Sequence, residues 1–348
     1  GGVDIQVLPV FIDQTYRPEG ALRQTLRMIE CAHNRRLMPQ QVITQHRSRI
    51  GSQAIESRQG RPRVSDAHVP LDPAHTGDGF QAFDFTRRDV QLVIHDFDPE
   101  SDAYTEKYGV DPDAMREAMT HVAWKNHVNG ARNPKAQFRK EVSRETIEGA
   151  PKVAGRLGIF DCSGVSDGAA AAMIVRAEDA YDYTDRPIFV KALALASGPM
   201  RGGLDPAYDF TTFPEVTHSA ADAYAQAGIT DPRNELSLAE VHDCFTPTEI
   251  VLMEDLGFTD RGQAWKDVLA GDFDLGGRLP VNVDGGLKSF GHPVGASGLR
   301  MLYEAWLQLR GEAGERQLSD PHHALTHNLG GRPGGCVSFV SVVGNERG

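Results

Sequence analysis

The chain has 348 residues, 40% of them apolar, which is enough for one or two full hydrophobic cores and excludes a sequence too polar to fold. Its 36 lysines and arginines face 48 aspartates and glutamates. The resulting formal charge of −12 argues against nucleic acid or an anionic membrane as partner, so an anionic ligand needs a local basic patch.

In chain order, residues 1–105 form an atypical N-terminal region. Short apolar stretches occur at 7–12 and 90–94, and Leu22, Leu26 and Ile29 give a helical spacing over 21–31. Residues 40–75 are rich in Gln, Arg, Ser, Asp and His without a period of two or 3.6, which predicts loops or disorder. There is no apolar run of membrane-spanning length and no leader-like N-terminus, so the expected address is the cytoplasm.

From about residue 102 the pattern becomes regular. Met115, Met119, Val122 and Ala123 share one helical face behind Pro112. Apolar runs at 169–175 and 188–196 predict buried strands. A helix over 217–227 stops at Gly228, and a strand over 238–242 runs into His-Asp-Cys-Phe. Thr246 and Glu249 have the spacing of a capping box, with Pro247 in the first turn and Gly257 as the stop. Leu299, Leu302, Trp306 and Leu309 predict an apolar stripe, and 337–343 predicts a closing strand. Strands alternating with helices of these lengths indicate an α/β layered fold, divided as 1–105, 106–202 and 203–348.

Three loops place reactive residues where strands end or helices begin: 241–247, 284–298 and 327–336. A lone histidine at a strand end is most often structural, a glycine often only permits a turn, and an intracellular cysteine is usually a small buried hydrophobe. The four cysteines, Cys31, Cys162, Cys244 and Cys336, are too scattered for a disulfide framework or a C-x-x-C metal site. Only Cys244 and Cys336 lie beside histidines and glycine-rich loops.

In combination these loops resemble the thiolase superfamily, in the branch of sterol-carrier-protein thiolases and archaeal and actinobacterial acetyl-CoA acetyltransferases. The resemblance runs through Trp124-Lys125-Asn126-His127, Asn133-Pro134, Phe160-Asp161-Cys162, Ser166-Asp167-Gly168, His242-Asp243-Cys244-Phe245 and Gly291-His292-Pro293-Val294-Gly295-Ala296-Ser297-Gly298. It implies a layered αβαβα fold with an atypical or incomplete N-terminal half. It also implies an acyl-CoA acyltransferase with coenzyme A as a substrate and no further cofactor or metal.

By that resemblance His292 activates a nucleophilic cysteine and helps bind the thioester oxygen, and His242 donates to the developing oxyanion. Cys244 exchanges the substrate α-proton, with Cys336 as the competing residue. Gly291, Gly295, Ser297, Asn328 and Gly330 would line the thioester and pantetheine arm. Family members are homodimers or tetramers, and some associate with a small zinc-ribbon and OB-fold partner.

The family's Asn-x-x-Cys-Ser-x-Gly nucleophile segment is not recognisable. Cys31 lies near a helix end beside Glu30, where the dipole and the neighbouring charge both oppose a thiolate. A second class therefore stands beside the acyltransferase: a nucleophile-lacking CoA-ester retro-aldolase or a non-catalytic CoA-ester-binding subunit.

Overall fold

The computed structural model describes residues 5–13, 42–44, 97–198 and 208–347. Cys31, the helix expected over 21–31 and the stretch 90–94 lie outside them. Two strands precede the regular part of the chain, β1 (Ile5–Asp13) and β2 (Val42–Thr44). The second falls inside the tract read as loops. Helix α1 (Pro99–Tyr108) ends at Gly109, which adopts the left-handed conformation. Helix α2 (Pro112–Ala131) starts where the Asp111 carboxylate accepts the amides of Asp113 and Ala114 and Pro112 fills the first turn. Met115, Met119, Val122 and Ala123 are buried as their spacing predicts.

The short helix α3 (Arg144–Glu148) and the hairpin β3 (Lys152–Ala154) and β4 (Leu157–Gly158) lead to β5 (Ala169–Arg176) and β6 (Ile188–Ser197). There follow α4 (Pro214–Ala227), α5 (Pro232–Glu235), β7 (Leu238–Glu240), α6 (Thr246–Asp255), α7 (Ala264–Ala270), α8 (Gly286–Ser289), α9 (Ser297–Leu309), β8 (His323–Gly330) and β9 (Val337–Gly344). Among the described residues the main sheet has seven strands in the order β2-β5-β1-β6-β9-β8-β7. Its pairs are antiparallel except β7 with β8, so both ends of the chain contribute to one mixed sheet.

Helices cover both faces of the sheet. On one face Val216, Ala220 and Ala223 of α4 join Ala192, Ala194, Leu325 and Val340 in the largest core, together with Ile250 and Leu252 of α6. On the other, Ala305 and Leu309 of α9 meet Ile188, Leu238, Ala324 and Val343. A bulge in β6 explains how one strand serves both cores. Val190 opposes Val343 and Ala192 opposes Val342, so the extra residue switches which side chains face which layer.

One local expectation is corrected. Thr246 and Glu249 form no capping box: the Thr246 hydroxyl donates to Asp161, and Glu249 turns inward to Lys125. The stripe of α9 packs as expected, with Leu309 buried and Leu299, Leu302 and Trp306 against core clusters, and beside it the helix also buries Ser297, Arg300, Met301, Glu304, Ala305 and Gln308. Arg300 pairs with Asp284, and Arg316 with Glu304, so this buried face is compensated by charge as well as by packing.

Candidate active site

The strand expected over 238–242 ends at Glu240, and Val241 to Phe245 then bend toward α6. Asn282 accepts the Val241 amide at 2.8 Å. The buried Asp243 carboxylate accepts the Leu287 amide at 2.6 Å and an Asn126 amide proton at 2.8 Å. Asp243 thereby ties the His242–Cys244 loop to α8 and α2. Burial pushes its pKa up to about 6, against the pull of the Lys288 ammonium.

The segment 162–166 sews this loop to the next. Cys162 bridges Phe245, Val165 bridges His292, the Ser163 amide donates to the Cys244 carbonyl at 2.8 Å, and the Ser166 amide donates to the His292 carbonyl at 3.3 Å. The His242 and His292 rings consequently meet edge to face with centroids 5.2 Å apart.

His292 Nδ1 lies 2.8 Å from the Ser297 hydroxyl, which itself donates to the Pro293 carbonyl. With that hydroxyl proton committed, Nδ1–H is the donor and Nε2 keeps its lone pair. Burial lowers the His292 pKa to about 4, assisted by the Arg300 charge, so the ring is neutral at physiological pH. Burial lowers His242 well below its ordinary value, and the Arg300 and Lys288 charges act in the same direction.

The third loop arrives on the same core. Cys336 and Cys244 share the largest apolar cluster, and charge on the Cys244 thiol is felt at Cys336. The Cys336 amide donates to Glu215 at 3.1 Å and its thiol lies 3.0 Å from the Arg332 carbonyl. Burial pushes the thiols of Cys244 and Cys336 up, and that of Cys162 up to about 11.

The expected binding residues divide. Ser297 holds His292, and Asn328 reaches Met301 and lies against Gly298. Gly291 has φ of 117°, and a Cβ there would stand 2.9 Å from Ser166 Oγ, so glycine is required for the close approach. Gly295 and Gly330 are exposed, and Gly330 has open space around it.

Sequence reasoning quoted Cys162 and Ser166 in its motifs and included Lys288 and His327 in its loops, but gave none of them a role. Lys288 is buried and donates to the Asp161 carbonyl at 2.8 Å. Both ring nitrogens of the buried His327 lack hydrogen-bond partners among the described residues, and burial lowers its pKa to about 3. Only its place beside Asn328 and the glycine loop hinted at it. No cluster of three or more His, Cys, Asp or Glu suited to a metal occurs among the described residues.

Residues 203–342 match the family model described as thiolase C-terminal domain-like. Those residues belong to that family. The chain is 41% identical over 225 residues to an acetyl-CoA acetyltransferase of Methanothermobacter thermautotrophicus, covering 65% of this chain and 58% of the relative. It is 34% identical over 279 residues to human sterol carrier protein 2, covering 77% and 48%. It thus spans about half the length of these curated relatives. The solved structure of an Ltp2-ChsH2(DUF35) aldolase superposes with a TM-score of 0.66 at 24% identity, covering 94% of this chain and 78% of that one, and shares the thiolase-like fold.

Proposed function

We propose that this chain binds acyl-CoA thioesters and performs thiolase-type acyltransfer, either 3-oxoacyl-CoA thiolysis or acetyl-CoA condensation. The observation that carries the reading is the contact of two uncharged imidazoles, His242 and His292, beside Cys244. A neutral imidazole N–H directed at a thioester oxygen stabilises the charge that develops when the α-carbon loses a proton; one such donor contributes ~3–4 kcal/mol. In this arrangement His242 supplies the donor and His292 offers Nε2 as a base. Cys244 moves the α-proton, while Ser297 fixes the tautomer of His292. Coenzyme A serves as substrate, and the assembly proposed with it is a homodimer or tetramer, with a small zinc-ribbon and OB-fold protein as a further partner.

The test is deuterium exchange at the methyl group of acetyl-CoA in heavy water. Cys244→Ala is expected to slow exchange at least ~100-fold while acetyl-CoA binding survives. If Cys336→Ala has that effect and Cys244→Ala does not, the acid/base role moves to the third loop.

A second reading, a CoA-ester retro-aldolase, draws on the raised thiols of Cys162, Cys244 and Cys336. Acylation needs a thiolate, whereas aldol cleavage needs only a base and an oxyanion site. Intact mass and peptide mapping after incubation with acetyl-CoA separate the two. A stoichiometric acetyl adduct on Cys31 supports acyltransfer, and its absence together with cleavage of a 3-hydroxyacyl-CoA supports the aldolase.

A further inference from the structure

His292 lies in a loop that runs from Asp284 to the start of α9, and one side chain ties that loop back to the helix. Arg300 of α9 has no exposed surface, so its cation is tolerated only where it is paired. Its Nη1 donates to the Asp284 carboxylate, and its guanidinium lies over the Phe290 ring, 4.7 Å from the centroid. Its Nε and Nη2 have no partner among the described residues, so its hold rests on these two contacts and on Glu240 at 3.9 Å.

Both contacts fall on the stretch that leads into His292. Asp284 heads the loop, where its second carboxylate oxygen accepts the Gly286 amide at 2.8 Å and its carbonyl accepts an Asn133 amide proton at 3.0 Å. Phe290 stands two residues before His292, and its carbonyl accepts the Gln137 amide at 2.9 Å. Arg300 follows Ser297 by three residues on the buried face of α9, so the two share one side of the helix. Ser297 thus holds the imidazole while Arg300 holds the backbone from which the imidazole extends.

We propose that Arg300 is a positioning residue for His292: by tying Asp284 and Phe290 to α9 it fixes the His292 backbone against Ser297, and so keeps the imidazole as the Nδ1–H tautomer with Nε2 free for the substrate. The proposal rests on the reading of His292 as the base of a CoA-thioester site. A side chain is held only as well as the groups behind it, and a small misplacement of a reacting atom is costly. An apolar residue at 300 would fill the space and leave the Asp284 carboxylate buried without its cation, and a lysine would keep the charge but lose the flat contact with Phe290. The cation acts in a second way from the same place, since it adds to burial in disfavouring a proton on His292.

The test is nitrogen NMR of the full chain with isotope-labelled histidine, the His292 signal being assigned by its loss in His292→Asn. At neutral pH the wild-type ring is expected to show the Nδ1–H tautomer alone. Ser297→Ala and Arg300→Met are both expected to turn it into a mixture of tautomers, while the signals of His121 and His327 stay in place. In acetyl-CoA deuterium exchange, Arg300→Met is expected to lower kcat at least ~10-fold with KM within about twofold, and Arg300→Lys to restore part of the rate.

Arg300→Met alone strands the Asp284 charge, which can prevent folding, whereas Arg300→Met combined with Asp284→Asn removes both charges and is expected to give the same mixture in a folded protein. If neither folds, Arg300→Lys decides through the same signal, again with a mixture expected. A lone Nδ1–H tautomer and a wild-type kcat in a folded Arg300 variant overturn the proposal. So does a shift of the His121 and His327 signals alongside that of His292, which would make Arg300 a general support of the fold. A wild-type chain that neither binds acetyl-CoA nor exchanges its protons overturns the functional reading instead, and the tautomer signal still decides whether Arg300 positions His292.

Discussion

His327 shows how a single residue can carry a folded-state constraint that its neighbours conceal. It sits in the interior of β8, fully buried, with neither ring nitrogen bonded among the described residues and a pKa lowered to about 3 by desolvation. An unfolded histidine protonates near pH ~6.5, so between that value and about 3 the unfolded chain holds a proton that the folded chain refuses. The ring's contribution to stability is therefore complete above the unfolded pKa and declines as pH falls. By about pH 5 the wild type should lose roughly 2 kcal/mol relative to His327→Asn, compared with their difference at neutral pH. Urea denaturation of both proteins at the two pH values checks this, and a pH-independent difference would refute it. At this scale the sequence was informative about residue types and silent about partners. His242, Cys244 and His292 were recognisable from the motifs around them.

Among the elements, α6 departs most from its sequence signals. Thr246, Pro247 and Glu249 have the right spacing for a self-contained helix start, yet tertiary partners claim both ends of the expected box. Glu249 accepts from Lys125 at 2.6 Å and from Asn126 and Asn282 at 2.9 Å, all within the core. A buried carboxylate with an ammonium and two amides at hand is better satisfied there than by its own helix amides. The helix is thereby clamped to α2, which carries Trp124-Lys125-Asn126-His127. Lys125→Met, leaving the carboxylate uncompensated, should destabilise the fold by ~3–5 kcal/mol. Adding Glu249→Gln should recover a substantial part of that loss in the same denaturation assay, whereas simple additivity of the two changes would show that the pair is not coupled. The apolar stripe of α9 packs as its spacing predicts, but the polar face buried beside it was not legible. Periodicity detects apolar faces, and this helix buries Arg300 and Glu304 against the charges of Asp284 and Arg316.

At the scale of the whole molecule, β1 lies between β5 and β6, so the first described residues occupy the middle of the sheet rather than its margin. Nothing in the weak pattern of the first hundred residues announced that, because strand order depends on pairing across the chain and not on local composition. A chain lacking residues 1–44 should leave β5 without either partner strand and β6 with an open side, and elute as aggregate in size-exclusion chromatography, whereas elution as a compact species would show that β1 and β2 are dispensable. At the β7 margin, the Ala239 amide donates to the Pro280 carbonyl at 3.0 Å and its carbonyl accepts the Asn282 amide at 2.9 Å. A parallel bridge joins Ala239 to Val281 there. That border is thus already occupied by the chain itself, which denies it to strands from other molecules and gives this side of the sheet a built-in guard against polymerisation.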